Sequence, residues 1–155
     1  MFVNQVVPLP ASLGDAKKRL RDFIDSTHDL QAASSAAFAH GMALLSPDGE
    51  PALTPAIVVQ RLSQYPRGET DVLPFRWCIL GDSANVAAPL DANLELGPAI
   101  EGLSQLALIG SYRPPQHHDA IALDRALIDV AARATCRTFL TSIAHVIAPP
   151  SIDTD

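Results

Sequence analysis

The chain is short of charge. Only 18% of its 155 residues are charged, and apart from Lys17, Lys18, Arg19 and Arg21 the basic residues are scattered. With a net charge of −6 and a pI near 5.2, no surface can track a phosphate backbone, so no nucleic acid partner is expected. Cysteine is scarce as well. Cys78 and Cys136 stand far apart without CxxC spacing, one in a strand pattern and one in a helix pattern, and both are expected to be buried free thiols. No stretch approaches eighteen consecutive apolar residues, which excludes a helical membrane span. The segment Met1 to Pro8 has neither the basic start nor the apolar run of a secretory signal, and a soluble cytoplasmic protein is expected. Also missing are HExxH, a glycine-rich phosphate loop with GK, the GxSxG elbow and a nucleotide fingerprint after the first strand. These absences disfavour cofactor-dependent catalysis, and no cofactor is expected.

What the chain has is apolar residues: 48% are hydrophobic and the mean hydropathy is +0.16. A chain of this length is about one domain and buries roughly 70% of its extended surface on folding. One domain over 1–148 with a frayed tail at 149–155 is expected. The apolar surplus either lines an internal cavity or forms a homodimer patch, and composition does not separate the two.

Phe2 to Val7 reads as a strand halted by Pro8 and Pro10. Ser12 is an N-cap for a helix with Asp15 in its first turn and Leu13, Ala16, Leu20, Phe23 and Ile24 at helical spacing. A second helix is expected from Asp29 to Gly41, ended by that glycine in a left-handed conformation. Strands follow at Met42 to Ser46, turned by Pro47-Asp48-Gly49, and at Ala56 to Leu62, with Ser63 to Thr70 a polar loop. Phe75, Trp77 and Ile79 then share one face of a strand with Arg76 pointing outward; Leu90, Ala92, Leu94 and Leu96 share a face of the next, and Leu106, Leu108, Gly110 and Tyr112 a face of the last. From Asp119 a helix without Gly or Pro runs about 29 residues, or about 43 Å, to Ile147. Arg125, Asp129, Arg133 and Arg137 form a solvated stripe along it. Projection places Ala120, Leu127, Ala131, Ala134, Thr138 and Ser142 opposite the stripe, flanked by Leu123, Ile128, Phe139 and Ile143. Small residues there either wall a cavity or let the helix approach the sheet closely.

This order of a strand, two short helices, antiparallel strands and a long terminal helix resembles the START-like helix-grip superfamily of polyketide cyclase and lipid-transfer type (SRPBCC). Leu73-Pro74-Phe75-Arg76-Trp77, Pro89 to Leu96, Leu106 to Pro115 and the helix up to Phe139-Leu140 are similar to bacterial members. The resemblance implies an α+β fold in which a curved antiparallel sheet of six or seven strands packs on the C-terminal helix. The typical fold has six strands between the helix pair and that helix, whereas five are legible here. The resemblance further implies a cavity between sheet and helix for a lipid, polyketide or aromatic compound, and no shared catalytic set.

Candidate lining residues are Phe75, Trp77, Leu94, Leu108 and Tyr112 from the sheet, and Leu127, Ala131, Ala134, Thr138 and His145 from the helix. Catalysis of cyclase or hydratase type would draw on Tyr112, Thr138 or His145 to position a hydroxyl or enolate. His117, His118 and Asp119 are adjacent loop residues without metal-ligand spacing, so no metal is expected. His40 reads as a helix-end cap. Three functions follow: binding or carriage of an apolar small molecule, a cyclase-like enzyme in the same cavity, or a partner-binding protein with a filled grip.

Overall fold

The computed structural model describes residues 2–45, 56–80, 89–112 and 125–149. Strand β1 (Phe2–Ser12) is followed by helices α1 (Leu13–Asp25) and α2 (Thr27–Ala43). Strands β2 (Ala56–Arg61), β3 (Tyr65–Arg67), β4 (Thr70–Leu80), β5 (Leu90–Pro98) and β6 (Leu103–Tyr112) come next, and helix α3 (Arg125–Ile147) completes the described elements. All pairings are antiparallel in the order β1-β6-β5-β4-β2, with β3 also on β4. The six-stranded curved sheet gripping a C-terminal helix, with two helices after the first strand, is a helix-grip fold.

Local chemistry explains where the elements begin and where the sequence pattern misleads. Ser12 caps α1 by accepting from the Asp15 backbone N–H at 3.2 Å. β1 continues through Pro8 and Pro10 because it is an edge strand, where a missing N–H can point away from its partner β6. Helix α2 starts at Thr27 rather than Asp29, since Ser26 is the residue whose hydroxyl accepts from the Asp29 N–H. It also runs past Gly41 to Ala43, so Met42 and Ala43 are helical and not the start of a strand. Ser46 and the Pro47-Asp48-Gly49 turn lie outside the described residues. The expected loop Ser63 to Thr70 contains β3, a hairpin arm returned onto β4 through Gly68 at φ +63°. Five strands thus stand between the helix pair and α3 among the described residues, but one of them is β3 in place of the segment at Met42.

The concave face carries the core. Leu73, Phe75 and Trp77 of β4, Leu90 to Leu96 in alternation on β5, and Leu106, Leu108 and Tyr112 on β6 are buried against Phe139, Leu140, Ile143 and Ile147 of α3. Four aromatic rings fill the middle: Trp77 meets Phe139 edge-on at 5.0 Å and Phe38 at 5.4 Å, while Phe75 lies 5.5 Å from Phe139. On the outer face Arg76 pairs with Asp91 and Arg67 with Glu95. The β2 edge is covered from α2, where Gln31 donates to the Ile57 carbonyl at 2.6 Å and accepts from the Val59 N–H at 3.2 Å, as a neighbouring strand would. No helix among the described residues is long and apolar enough to cross a membrane.

Candidate functional site

Beyond the aromatic cluster, toward the end of the grip where α2 finishes and α3 starts, the packing opens into a cavity of about 60 Å³. Helix α2 contributes Phe38, Gly41 and Met42, with Leu45 just after it; the sheet contributes Trp77, Leu90 and Tyr112. Helix α3 supplies Ile128, Ala131, Ala132, Thr135 and Cys136. Leu45, Leu90, Tyr112 and Ile128 lie at or near the ends of their elements, so the cavity sits at the rim of the grip rather than along its length.

The indole, hydroxyl and phenol groups of the described wall are each bonded within the protein. Trp77 Nε1–H donates to Ser34 Oγ at 3.1 Å, and Ser34 in turn donates to the Leu30 carbonyl at 2.8 Å. Thr135 Oγ1 donates to the Ala131 carbonyl at 2.9 Å. Tyr112 donates its phenol proton to Asp129 Oδ1 at 3.1 Å, while Arg133 Nε donates to Asp129 Oδ2 at 2.8 Å. Burial first, and the bond to Asp129 second, raise the Tyr112 phenol above its ordinary range, so it stays neutral. The Arg133 hydrogen bond holds Asp129 below the usual carboxylate range, with the Tyr112 bond adding to it, so Asp129 is ionised at neutral pH. Burial alone pushes the Cys136 thiol up to about 12. It is therefore a neutral, poorly nucleophilic wall group.

The expected site residues separate into three groups. Trp77, Tyr112 and Ala131 line the cavity. Phe75, Leu94 and Leu108 are fully buried beneath it in the solid core. Leu127 is 39% exposed, and Ala134, Thr138 and His145 line an open groove on the outer surface with His40 and Arg137. His145 is an exposed residue whose Nδ1 lies 2.8 Å from the Thr141 carbonyl. The inward face of α3 is thus turned by more than a third of a revolution from the side opposite the charged stripe. Small residues such as Ala131 and Thr135 face α2 rather than the sheet. A Cβ on Gly41 would sit 1.7 Å from Thr135 Oγ1 and 3.2 Å from the Ala131 carbonyl. Asp129 and Arg133 flank the buried face instead of opposing it, which is how Asp129 reaches Tyr112. His117, His118, Asp119, Ala120 and Leu123 lie outside the described residues.

Ile128, expected on the flank of the inward face, lines the cavity, whereas nothing in the sequence pattern marks Ser34, Thr135 or Met42 as neighbours of the site. The i,i+4 spacing of Asp129 and Arg133 was visible, but nothing in the pattern pointed to their link with Tyr112. No protein-family model matches the chain, and no curated protein matches it. Among solved structures it is similar to protein CV1439 of Chromobacterium violaceum, at 15% identity over 96% of this chain and 97% of that one, with a TM-score of 0.36. It is also similar to Ara h 8.0201, at 10% identity over 95% and 97% of the two chains, with a TM-score of 0.39.

Proposed function

We propose that this chain is a START-like binder or carrier that takes an apolar small molecule, or the apolar end of one, into the rim cavity. The observation that carries the reading is the cavity wall: Phe38, Met42, Leu45, Trp77, Leu90 and Ile128 surround a space that the aromatic cluster stops short of filling. At about 60 Å³ the space is well below the ~300–1,000 Å³ typical of pockets that swallow a drug-sized ligand. The guest inserts a short chain or ring and leaves its remainder toward the rim. A binder is favoured over a cyclase because Tyr112 is at the cavity while Thr138 and His145 lie on the outer groove, so these three cannot converge on one substrate.

The chain's one tryptophan is in the wall, so its emission reports directly on occupancy. Titration with straight-chain ten-carbon compounds is expected to give a saturable shift of Trp77 emission. Ala132→Leu, which fills the cavity from α3, is expected to abolish it with the circular dichroism spectrum unchanged. Native mass spectrometry of the freshly purified protein is expected to show a retained apolar molecule. An absence of saturable response to every compound, with no retained mass, would show that the grip is filled and the reading wrong.

A further inference from the structure

We propose that the open groove on the outer side of α3 is a second ligand site, independent of the rim cavity, and that it takes a small oxyanion: a phosphate, free or carried as a monoester. Helix α3 lines the groove from Ala134 to His145, and His40 closes it from α2. The α3 positions recur at spacings of three and four, so they form one stripe along the helix, about 16 Å from end to end. Alanine, threonine and serine supply its short side chains, and Arg137, His40 and His145 its long ones, around a space of about 560 Å³.

What the groove offers is hydrogen-bond donors beside a fixed positive charge. Arg137 is exposed and has no ion pair or hydrogen bond among the described residues, unlike Arg133 one turn earlier, which is engaged by Asp129. Its guanidinium keeps all five N–H groups, in a fork that matches two oxygens of a phosphate. The Thr138 and Thr141 hydroxyls and the His40 ring likewise have no hydrogen-bond partner among the described residues. Ser142 Oγ donates to the Thr138 carbonyl at 2.8 Å, and His145 Nδ1 lies 2.8 Å from the Thr141 carbonyl. A carbonyl only accepts, so the His145 hydrogen is on Nδ1 and Nε2 is the nitrogen left for a ligand. The permanent charge of Arg137 repels a metal cation and attracts an oxyanion. Because His40 adjoins Gly41 and Ala134 adjoins Thr135, an ion held by Arg137 and His40 bridges α2 and α3 beside the point where the two helices touch.

The test follows the histidine ring signals by NMR at neutral pH and fixed ionic strength while inorganic phosphate or glycerol 3-phosphate replaces chloride. His40 and His145 are expected to shift saturably, and His28, at the other end of α2, to stay still. Tighter binding of the ester assigns the site to an organic phosphate; equal or tighter binding of the free ion assigns it to inorganic phosphate. Arg137→Gln removes the fixed charge at an exposed position and is expected to weaken binding about tenfold, the size of a lost charged hydrogen bond. Thr138→Val is expected to weaken it about threefold. Lys18→Gln, at an exposed position of α1, changes the net charge equally and is expected to leave the affinity within about twofold, because a distant surface charge is screened. No saturable shift with either compound overturns the proposal, as does an affinity unmoved by Arg137→Gln. A loss in Lys18→Gln as large as in Arg137→Gln overturns it too, since the binding is then diffuse attraction to the whole surface.

Discussion

Two glycine-to-alanine changes, both in helices, are expected to have opposite signs. Gly14 in α1 has nothing within 4 Å of where a Cβ would go. Gly14→Ala therefore gains the ordinary helix benefit of removing a flexible residue, roughly 0.5 kcal/mol near a helix terminus. Gly41 in α2 is the reverse case, because its added Cβ would lie 1.7 Å from Thr135 Oγ1 and 3.1 Å from Thr135 Cβ. Thr135 can escape only by turning its hydroxyl, which breaks the 2.9 Å bond to Ala131, or by α3 moving off α2. Overpacking of this kind costs about 1–3 kcal/mol, and the helix benefit returns roughly 0.5–1, so Gly41→Ala is destabilised by about 1–2 kcal/mol. For a chain of this size that is a fall in melting temperature of roughly 3–6 °C. Urea and thermal unfolding followed by far-ultraviolet circular dichroism read both variants, with the urea slope unchanged if only stability moves. In the Thr135→Ala background the Gly41→Ala penalty is expected to shrink by at least ~1 kcal/mol, because the hydroxyl oxygen that makes the 1.7 Å clash is gone. If Gly41→Ala melts at or above the parent, the close α2–α3 contact at this point does not exist, and the wall of the cavity must be redrawn.

Ser34→Ala strands the buried indole N–H of Trp77 and is expected to cost about 1–3 kcal/mol in urea unfolding; a loss below ~0.5 would show that the bond contributes little. The Asp129 carboxylate is held below its ordinary range in the folded state, so its stabilisation is fully present above the unfolded carboxylate pKa near ~3.9 and disappears as pH falls through the lower folded value. The stability difference between the parent and Asp129→Asn, measured by urea unfolding across an acid series, is expected to be constant from neutral pH down to about pH 5 and to close below about pH 4; a difference independent of pH would refute the ion-paired assignment. Phe139→Leu removes one ring of the aromatic cluster at a cost of roughly 1–2 kcal/mol and lengthens the cavity inward. It is expected to raise the affinity for decanol relative to hexanol several-fold, at about 0.8 kcal/mol per additional methylene buried, and an unchanged ratio would mean that the cluster does not set ligand length.

Strand periodicity made the concave face readable. Large residues alternating at Phe75 and Trp77, at Leu90 to Leu96, and at Leu106 to Tyr112 require one buried face whatever else is true, because a register slip would expose all of them. The orientation of α3 was not readable in the same way. A charged stripe suggests the side farthest from the core, but Asp129 and Arg133 lie at the border of the buried face, where Asp129 bonds Tyr112 and the longer Arg133 keeps its head in water. Of its small residues, Ala131 meets α2 rather than the sheet while Ala134, Thr138 and Ser142 line the outer groove, and no local pattern states which neighbour a small residue serves. Gly41 failed for the same reason. A glycine at a helix end and a glycine at a helix crossing look alike in sequence, and only the position of Thr135 separates them. β3 was hidden because all three of its residues are exposed and one is proline, so it carries neither an apolar face nor strand-like composition.

The chemistry of the cavity follows from the demands of folding rather than from any dedicated recognition group. A buried indole, hydroxyl or phenol with an unmatched hydrogen costs on the order of 1–3 kcal/mol, a sizeable part of a typical domain's stability. The fold avoids that cost by directing Trp77 to Ser34, Thr135 to Ala131 and Tyr112 to Asp129. Those same bonds fix the wall's side chains in place, and the close contact of Gly41 with Thr135 leaves the cavity narrow. Stability and selectivity are therefore coupled at these positions. A substitution that frees one wall hydrogen, as Ser34→Ala frees the Trp77 N–H, weakens the fold and in the same step turns a donor loose at the cavity.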